Sequence, residues 1–224
     1  MIVSHRHRFI FLKTTKTAGT SIEIALSKYL GEDDIITPIS AGDEKIRQSL
    51  GFRGPQNFKA PYSAGAIPDP RHSRLLTEGF QNHMPARHVR MRLGERIWHA
   101  YFKFCVERNP WARLASYYNW LHRRAPGPGM RAFIETGAPH MLREFGWYCY
   151  SIDDRVAVNR ICKFETLAAG LEFVRRRIGL PEPLELPHAK RGPKVDYRTL
   201  YDARERDQVA KIFAREIKEF GYTF

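Results

Sequence analysis

Cysteine is scarce in this chain: Cys105, Cys149 and Cys162 are its only three. The count is odd and no CxxC spacing occurs, so neither a zinc ribbon nor a disulfide framework is signalled, and buried free thiols are expected. Long apolar runs are missing too. None approaches the roughly 20 residues that a membrane-spanning helix needs, so no stable membrane insertion is expected. The opening stretch MIVSHRHRFIFLK has basic residues, but the apolar run after them is too short for a signal-peptide core and no small-residue cleavage site follows. A full-length cytoplasmic protein is the expectation. Acidic residues are in deficit, 24 Asp and Glu against 37 Lys and Arg, for a formal net charge of +13. Such an excess calls for an anionic partner: nucleic acid, an acidic membrane surface, a polyanionic glycan or a phosphorylated cofactor. The basic clusters at 87–96, 123–124, 175–177 and 190–194 lack the aromatic interleaving of an RNA-binding sheet and any helix-turn-helix pattern, which argues against nucleic acid. Internal repeats and low-complexity tracts are absent. With 43% hydrophobic residues and 12% aromatics over 224 residues, disorder is excluded and one domain spanning 1–224 is expected.

What is present centres on residues 9–30, FIFLKTTKTAGTSIEIALSKYL. Phe9, Ile10, Phe11 and Leu12 form an apolar run flanked by charge, as in a strand buried on both faces of a parallel sheet. From Ser21 onward, Ile22, Ala25, Leu26, Tyr29 and Leu30 recur at helical spacing, which predicts a helix packed back on that strand. Between them, Thr14 to Thr20 hold one lysine and one glycine. A loop at a strand-to-helix turn offers free backbone N–H groups and the positive end of a helix to an anion, and Lys16 adds a full charge. Gly19 permits close approach of the main chain, and the hydroxyls of Thr17, Thr20 and Ser21 can donate to phosphate oxygens. An ordinary βα turn is the plain alternative. The loop is not GxxxxGK[ST], because Lys16 precedes Gly19, and a nucleotide kinase is disfavoured.

Farther along, residues 31–74 are rich in Gly, Pro, Asp and Ser with weak periodicity, an irregular length more typical of a binding loop or lid than of a spacer. A second strand is expected over 102–107. Asn109 can cap and Pro110 can open the helix after it, with Leu114, Tyr117, Tyr118 and Leu121 on its apolar side and APGPG as its end. Arg108, at the strand end, and Ser116, two turns into the helix, can face one anion, since arginine presents a planar fork of donors. Helical turns are expected at 132–135 and 140–145, a short strand at 160–164, and a helix through Leu167, Leu171, Val174 and Ile178. Asp202 and Glu205 read as a capping box for one last helix carrying Val209, Ile212, Phe213, Ile217 and Phe220. Alternating strands and helices imply an α/β three-layer sandwich with a central, mainly parallel sheet.

Strand, TTKTAGTS loop and helix, then RNPWARLASYY, KFETL and a terminal FGYTF, resemble in order the sulfotransferases that use 3′-phosphoadenosine 5′-phosphosulfate (PAPS), with the nearest likeness to the carbohydrate branch of heparan and chondroitin types and its bacterial relatives. The likeness covers both ends and the middle; residues 31–82 have no counterpart and are expected to be an acceptor-binding insertion. The resemblance implies a P-loop-like fold, PAPS as donor and no metal. It implies that Thr15, Lys16, Thr17, Ala18, Gly19, Thr20 and Ser21 cradle the 5′-phosphosulfate, with Lys16 at the bridging oxygen; Thr15 stands where many members have proline. Arg108 and Ser116 match the pair that binds the 3′-phosphate, and Lys190, Arg191 and Gly192 the loop that closes over the nucleotide. His83, in HMPA, matches a histidine that acts as catalytic base, and a neutral-range pKa suits that task. Asp33, Asp34, Asp43 and Glu44 are the competing bases, whereas His5 and His7 are expected to be solvated. Trp111, Tyr117 and Tyr118 read mainly as core, the alternative being that one of them touches adenine. The implied function is sulfuryl transfer to a hydroxyl of a glycan or other hydroxylated acceptor. The alternative, from charge alone, is a non-catalytic binder of nucleic acid or sulfated glycan.

Overall fold

Two apolar runs at the start of the chain pair as a hairpin. In the computed structural model, which describes residues 1–59, 79–187 and 196–224, β1 (Ile2–Ser4) runs antiparallel to β2 (Phe9–Phe11), with Ile2 opposite Phe11 and Ser4 opposite Phe9. The buried carboxylate of Asp34 ties down the turn between them, accepting from Ser4 Oγ, from the main-chain N–H groups of His5 and Arg6, and from Gly31 N–H. β3 (Ile35–Ile36) adds antiparallel to β1. On the other side β2 pairs in parallel with β4 (Phe102–Glu107), and β4 with β7 (Arg160–Lys163). The sheet order is β3-β1-β2-β4-β7, and only β1 opposes the common direction. β5 (Ser151–Ile152) and β6 (Arg155–Val156) make a separate small hairpin.

Alternation along these strands sends side chains to two faces, and helices cover both. Ile2, Phe9, Phe11, Phe104 and Val106 pack against Ile22 and Leu26 of α1 (Gly19–Ser27) and Leu171 and Val174 of α7 (Leu167–Arg177). Val3, Ile10, Leu12 and Cys105 pack against α3 (Ala86–Ala100), kinked at Gly94, and against Trp147 and Tyr150 of α6 (Ala138–Tyr150). A third cluster joins α4 (Pro110–Leu121), α5 (Met130–Glu135), α6 and α8 (Ala203–Ile212). The expected layered α/β architecture is therefore seen. Asn109 caps α4, its side chain accepting from the N–H groups of Trp111 and Ala112, with Pro110 in the first turn. The reciprocal capping box of Asp202 and Glu205 opens α8. All three cysteines are buried and unpaired.

Four expectations are corrected. Residues 31–59 are not irregular throughout: they hold β3 and the helix α2 (Ala41–Ser49), whose N-terminus is capped by Ser40. Residues 86–100, given no element from the sequence, form α3. The last helix is two, α8 and α9 (Ala214–Phe220), broken at the fully buried Phe213. One straight helix cannot carry Val209 into the third cluster and also lay Phe220 against the sheet face. His5 and His7 are half-buried rather than solvated, His5 Nδ1 lying 2.9 Å from Tyr101 Oη and His7 Nε2 3.2 Å from the carbonyl of Tyr29. No helix among the described residues is long and apolar enough to cross a membrane.

Candidate functional site

At the end of β2 the chain turns through Thr14, Thr15, Lys16, Thr17 and Ala18 into α1, and two non-glycine residues of that turn are left-handed, Lys16 (φ 64°) and Ala18 (φ 63°). Each such conformation costs on the order of 1 kcal/mol or more, so the surroundings must enforce it. They do so through the loop carbonyls. Arg113 Nε donates to the carbonyl of Thr15 at 2.9 Å, and Arg108 Nη1 to that of Lys16 at 3.3 Å. Arg113 is itself buried, paired with buried Glu107 at 3.0 Å and donating to the carbonyl of Leu142. Tyr150 Oη donates to the other oxygen of Glu107 at 2.7 Å. Gly146 of α6 lies flat on that guanidinium, where a Cβ would come within 2.4 Å of it.

Gly19 is required for the same kind of reason. A Cβ there would stand 2.7 Å from Lys13 Cγ, and Lys13 is held in place by a buried ion pair with Glu23 of α1. Thr17 is buried, its hydroxyl bonded to Thr14, so it shapes the loop from within, whereas Thr20 and Ser21 stay half-exposed in the first turn of α1. The first helical N–H with a main-chain partner is that of Ile22, which leaves the amides ahead of it available to an anion.

Arg108 leaves β4 beside this loop. Its guanidinium stacks over Phe164 at 4.2 Å, and its Nε is buried without a hydrogen-bond partner. Burial pulls its pKa below the ordinary value, with Glu165 opposing. A buried donor left unpaired is costly, and an arriving anion would satisfy it.

His83 also has a left-handed backbone (φ 59°). Its Nδ1 lies 3.0 Å from the carbonyl of Lys13 and 3.3 Å from Thr15 Oγ1. A carbonyl only accepts, so Nδ1 carries the hydrogen and the Nε2 lone pair is left to act as a base. Burial, with the nearby Lys13 ammonium, lowers the imidazole pKa to about 4, which keeps the ring neutral at pH 7.

One cavity of about 490 Å³ is lined by 13–21, Asn82, His83, Arg108, Ser116 and Phe164, and on its remaining side by Tyr117, Trp120, Met141, Leu142 and Phe145. Thr15 to Ser21, His83, Arg108 and Ser116, each expected from the sequence, thus share one space. Lys190, Arg191 and Gly192 lie outside the described residues. None of the competing carboxylates lines the cavity: Asp34 holds the hairpin turn, Asp43 and Glu44 bond around the start of α2, and Asp33 is exposed. Lys13, Asn82, Tyr117, Trp120, Met141 and Phe145 went unnoticed or were read as core. Trp120 was within reach of the sequence, since it follows Ser116 by four residues and a helix puts such pairs on one side; nothing in the order of residues tells that Met141 and Phe145 meet them.

The model of the sulfotransferase family matches residues 1–223. The chain belongs to that family. An uncharacterized protein of Archaeoglobus fulgidus is 32% identical over 106 residues, 46% of this chain and 88% of that one. The crystal structure of a sulfotransferase from Alicyclobacillus acidocaldarius is similar over 97% of this chain and 96% of that chain, at 18% identity and a TM-score of 0.42. Among the described residues, the cavity lining holds the cations Lys13, Lys16 and Arg108 and no carboxylate, which makes it attractive to an anion. No cluster of His, Cys, Asp and Glu among the described residues could hold a metal ion.

Proposed function

We propose that this sulfotransferase moves a sulfuryl group from PAPS to a hydroxyl of its acceptor, in the cytoplasm and without a metal. The observation that carries the reading is the convergence in one cavity of the Lys16 loop, the Arg108 and Ser116 pair and His83, which stand far apart in the chain. Fit to the donor is supported by the unpaired Arg108 Nε and by the amides ahead of Ile22 that have no main-chain partner. In this reading Arg108 and Ser116 hold the 3′-phosphate, and Thr15 to Ser21 hold the 5′-phosphosulfate. The donor supplies an activated sulfuryl group, whose bond to the phosphate-side oxygen breaks as the acceptor oxygen bonds to sulfur.

Lys16 supplies a fixed positive charge where negative charge grows on that phosphate-side oxygen, which stabilises the transition state more than the ground state. His83 Nε2 takes the acceptor's proton. The Lys13 carbonyl fixes the tautomer that allows this, and Lys13 together with burial holds the ring neutral beforehand. Arg113 and Glu107 act behind the loop by holding the Thr15 carbonyl. The non-catalytic polyanion binder has no comparable observation in its favour.

The test is transfer of radiolabelled sulfuryl from PAPS to a panel of hydroxylated acceptors by the wild-type protein and by Lys16→Ala. Loss of one such electrostatic contact costs about 3 kcal/mol, so the variant should be slower by roughly a hundredfold in single turnover with its thermal melt unchanged. A full single-turnover rate in Lys16→Ala would remove Lys16 from the mechanism.

A further inference from the structure

The wall of the cavity not claimed by donor or base is apolar and held open to solvent. Trp120 is 40% exposed, Met141 39% and Phe145 47%, high values for side chains of this size. They flank the reacting end. Lys16 Nζ lies 5.3 Å from the Trp120 ring centre, and Thr15 Oγ1, 3.3 Å from His83 Nδ1, also lies 3.4 Å from the carbonyl of Phe145. Phe164, also on the lining, sits under Arg108. Tyr117 stacks on Trp120, ring centres 6.0 Å apart and planes within 15°, and so presents a flat double ring.

Polar groups on this side are few, and Asn82 is fully engaged. Asn82 Oδ1 accepts from the Met1 nitrogen and from Thr37 Oγ1, and its Nδ2 donates to the carbonyl of Pro38. His83 Nδ1 is taken by Lys13, which leaves one nitrogen for one hydroxyl. A sugar seated here would find Tyr117 Oη and His83 Nε2 for two of its hydroxyls and leave its remaining ring hydroxyls facing Trp120, Met141 and Phe145, at a desolvation cost for each. A flat apolar body would gain contact with Trp120, Met141 and Phe145 and lose nothing.

We infer that the acceptor hydroxyl is carried on a planar apolar skeleton, as in a phenol, with Trp120 and Phe145 selecting it. This rests on the donor reading above. In the step, the phenolic oxygen bonds to sulfur, the bond from sulfur to the phosphate-side oxygen of PAPS breaks, and the phenolic proton goes to His83 Nε2, giving an aryl sulfate and the bisphosphate. The class departs from the glycan that the resemblance suggested.

The experiment titrates 2-naphthol, and separately cellobiose and a desulfated chondroitin tetrasaccharide, into the full-length protein saturated with 3′,5′-bisphosphoadenosine, read by tryptophan fluorescence and calorimetry. Naphthol is expected to bind at least tenfold more tightly than either saccharide. Trp120→Ala should weaken naphthol tenfold or more and Trp120→Phe much less, each titrated at a bisphosphate concentration that saturates that variant. If the bisphosphate binds but a saccharide matches naphthol, or if Trp120→Ala binds naphthol as well as wild type does, the acceptor inference is overturned and the donor reading survives. If the bisphosphate does not bind at all, the donor reading fails and the acceptor inference falls with it.

Discussion

Arg108→Ala gives the sharpest test of the donor end. Its guanidinium has one buried nitrogen with no partner, a second that donates to the Lys16 carbonyl at 3.3 Å, and a face laid on Phe164. A hydrogen bond to a charged group contributes about 1.5–3 kcal/mol, and a bidentate grip on a 3′-phosphate provides two. Removing both should cost about 3–6 kcal/mol, a loss of roughly 10² to 10⁴ in affinity. The truncation also frees the Lys16 carbonyl, which could loosen the loop itself. Calorimetry with two nucleotides separates these effects: 3′,5′-bisphosphoadenosine reports both ends of the donor, and 5′-AMP only the loop. Wild type should prefer the bisphosphate by a hundredfold or more; Arg108→Ala should bind both nucleotides about equally, with 5′-AMP affinity changed by less than about tenfold. A variant that kept the full preference for the bisphosphate would show that the unpaired nitrogen is no phosphate site.

Two further predictions concern the groups behind the loop. Since burial and Lys13 hold His83 at about 4, kcat/KM should rise with pH through about 4 and be flat from pH 6 to 8, and His83→Asn should abolish the rise; a profile that still climbs near 6.5 would mean an unperturbed imidazole. Stability is a poorer readout. The unfolded imidazole takes its proton near 6.5 and the folded one near 4, so His83 costs stability as pH falls between those values, while buried Glu216, raised to about 7 by burial, costs stability as pH rises from 4.5 toward 7. Arg113→Ala leaves the buried Glu107 carboxylate without its countercharge, with only the Tyr150 hydroxyl and the Arg108 main-chain N–H donating to it, a loss of about 3–5 kcal/mol, or on the order of 10 °C in Tm for a domain of this size. A calorimetric melt within a degree or two of wild type would show that the pair is not what holds the loop.

Much of the site could be read in the residue order because its chemistry is local. The Lys16 loop is a strand end and a helix start joined by seven residues, and Arg108 and Ser116 are set by one strand end and two helical turns, so spacing along the chain translates directly into spacing in space. Residues 86–100 were missed because arginines and a glycine interrupt the apolar period of α3, and its helicity depends on packing Val89, Leu93 and Trp98 against the sheet. The break at Phe213 was missed for a related reason: the stripe from Val209 to Phe220 has a helical period, but its two halves meet different partners.

By itself the sequence determined the strand, turn and helix that begin at Phe9, the Asn109 cap with Pro110 at the start of α4 and the capping box of α8, since period, capping and turn chemistry act over a few residues. Tertiary structure alone decided which tautomer His83 adopts, because the Lys13 carbonyl lies 70 positions away in the chain. It also set the charge of that imidazole and the apolar wall of Trp120, Met141 and Phe145. Desolvation and contact depend on what surrounds a group in three dimensions, and a linear order of residues does not contain that.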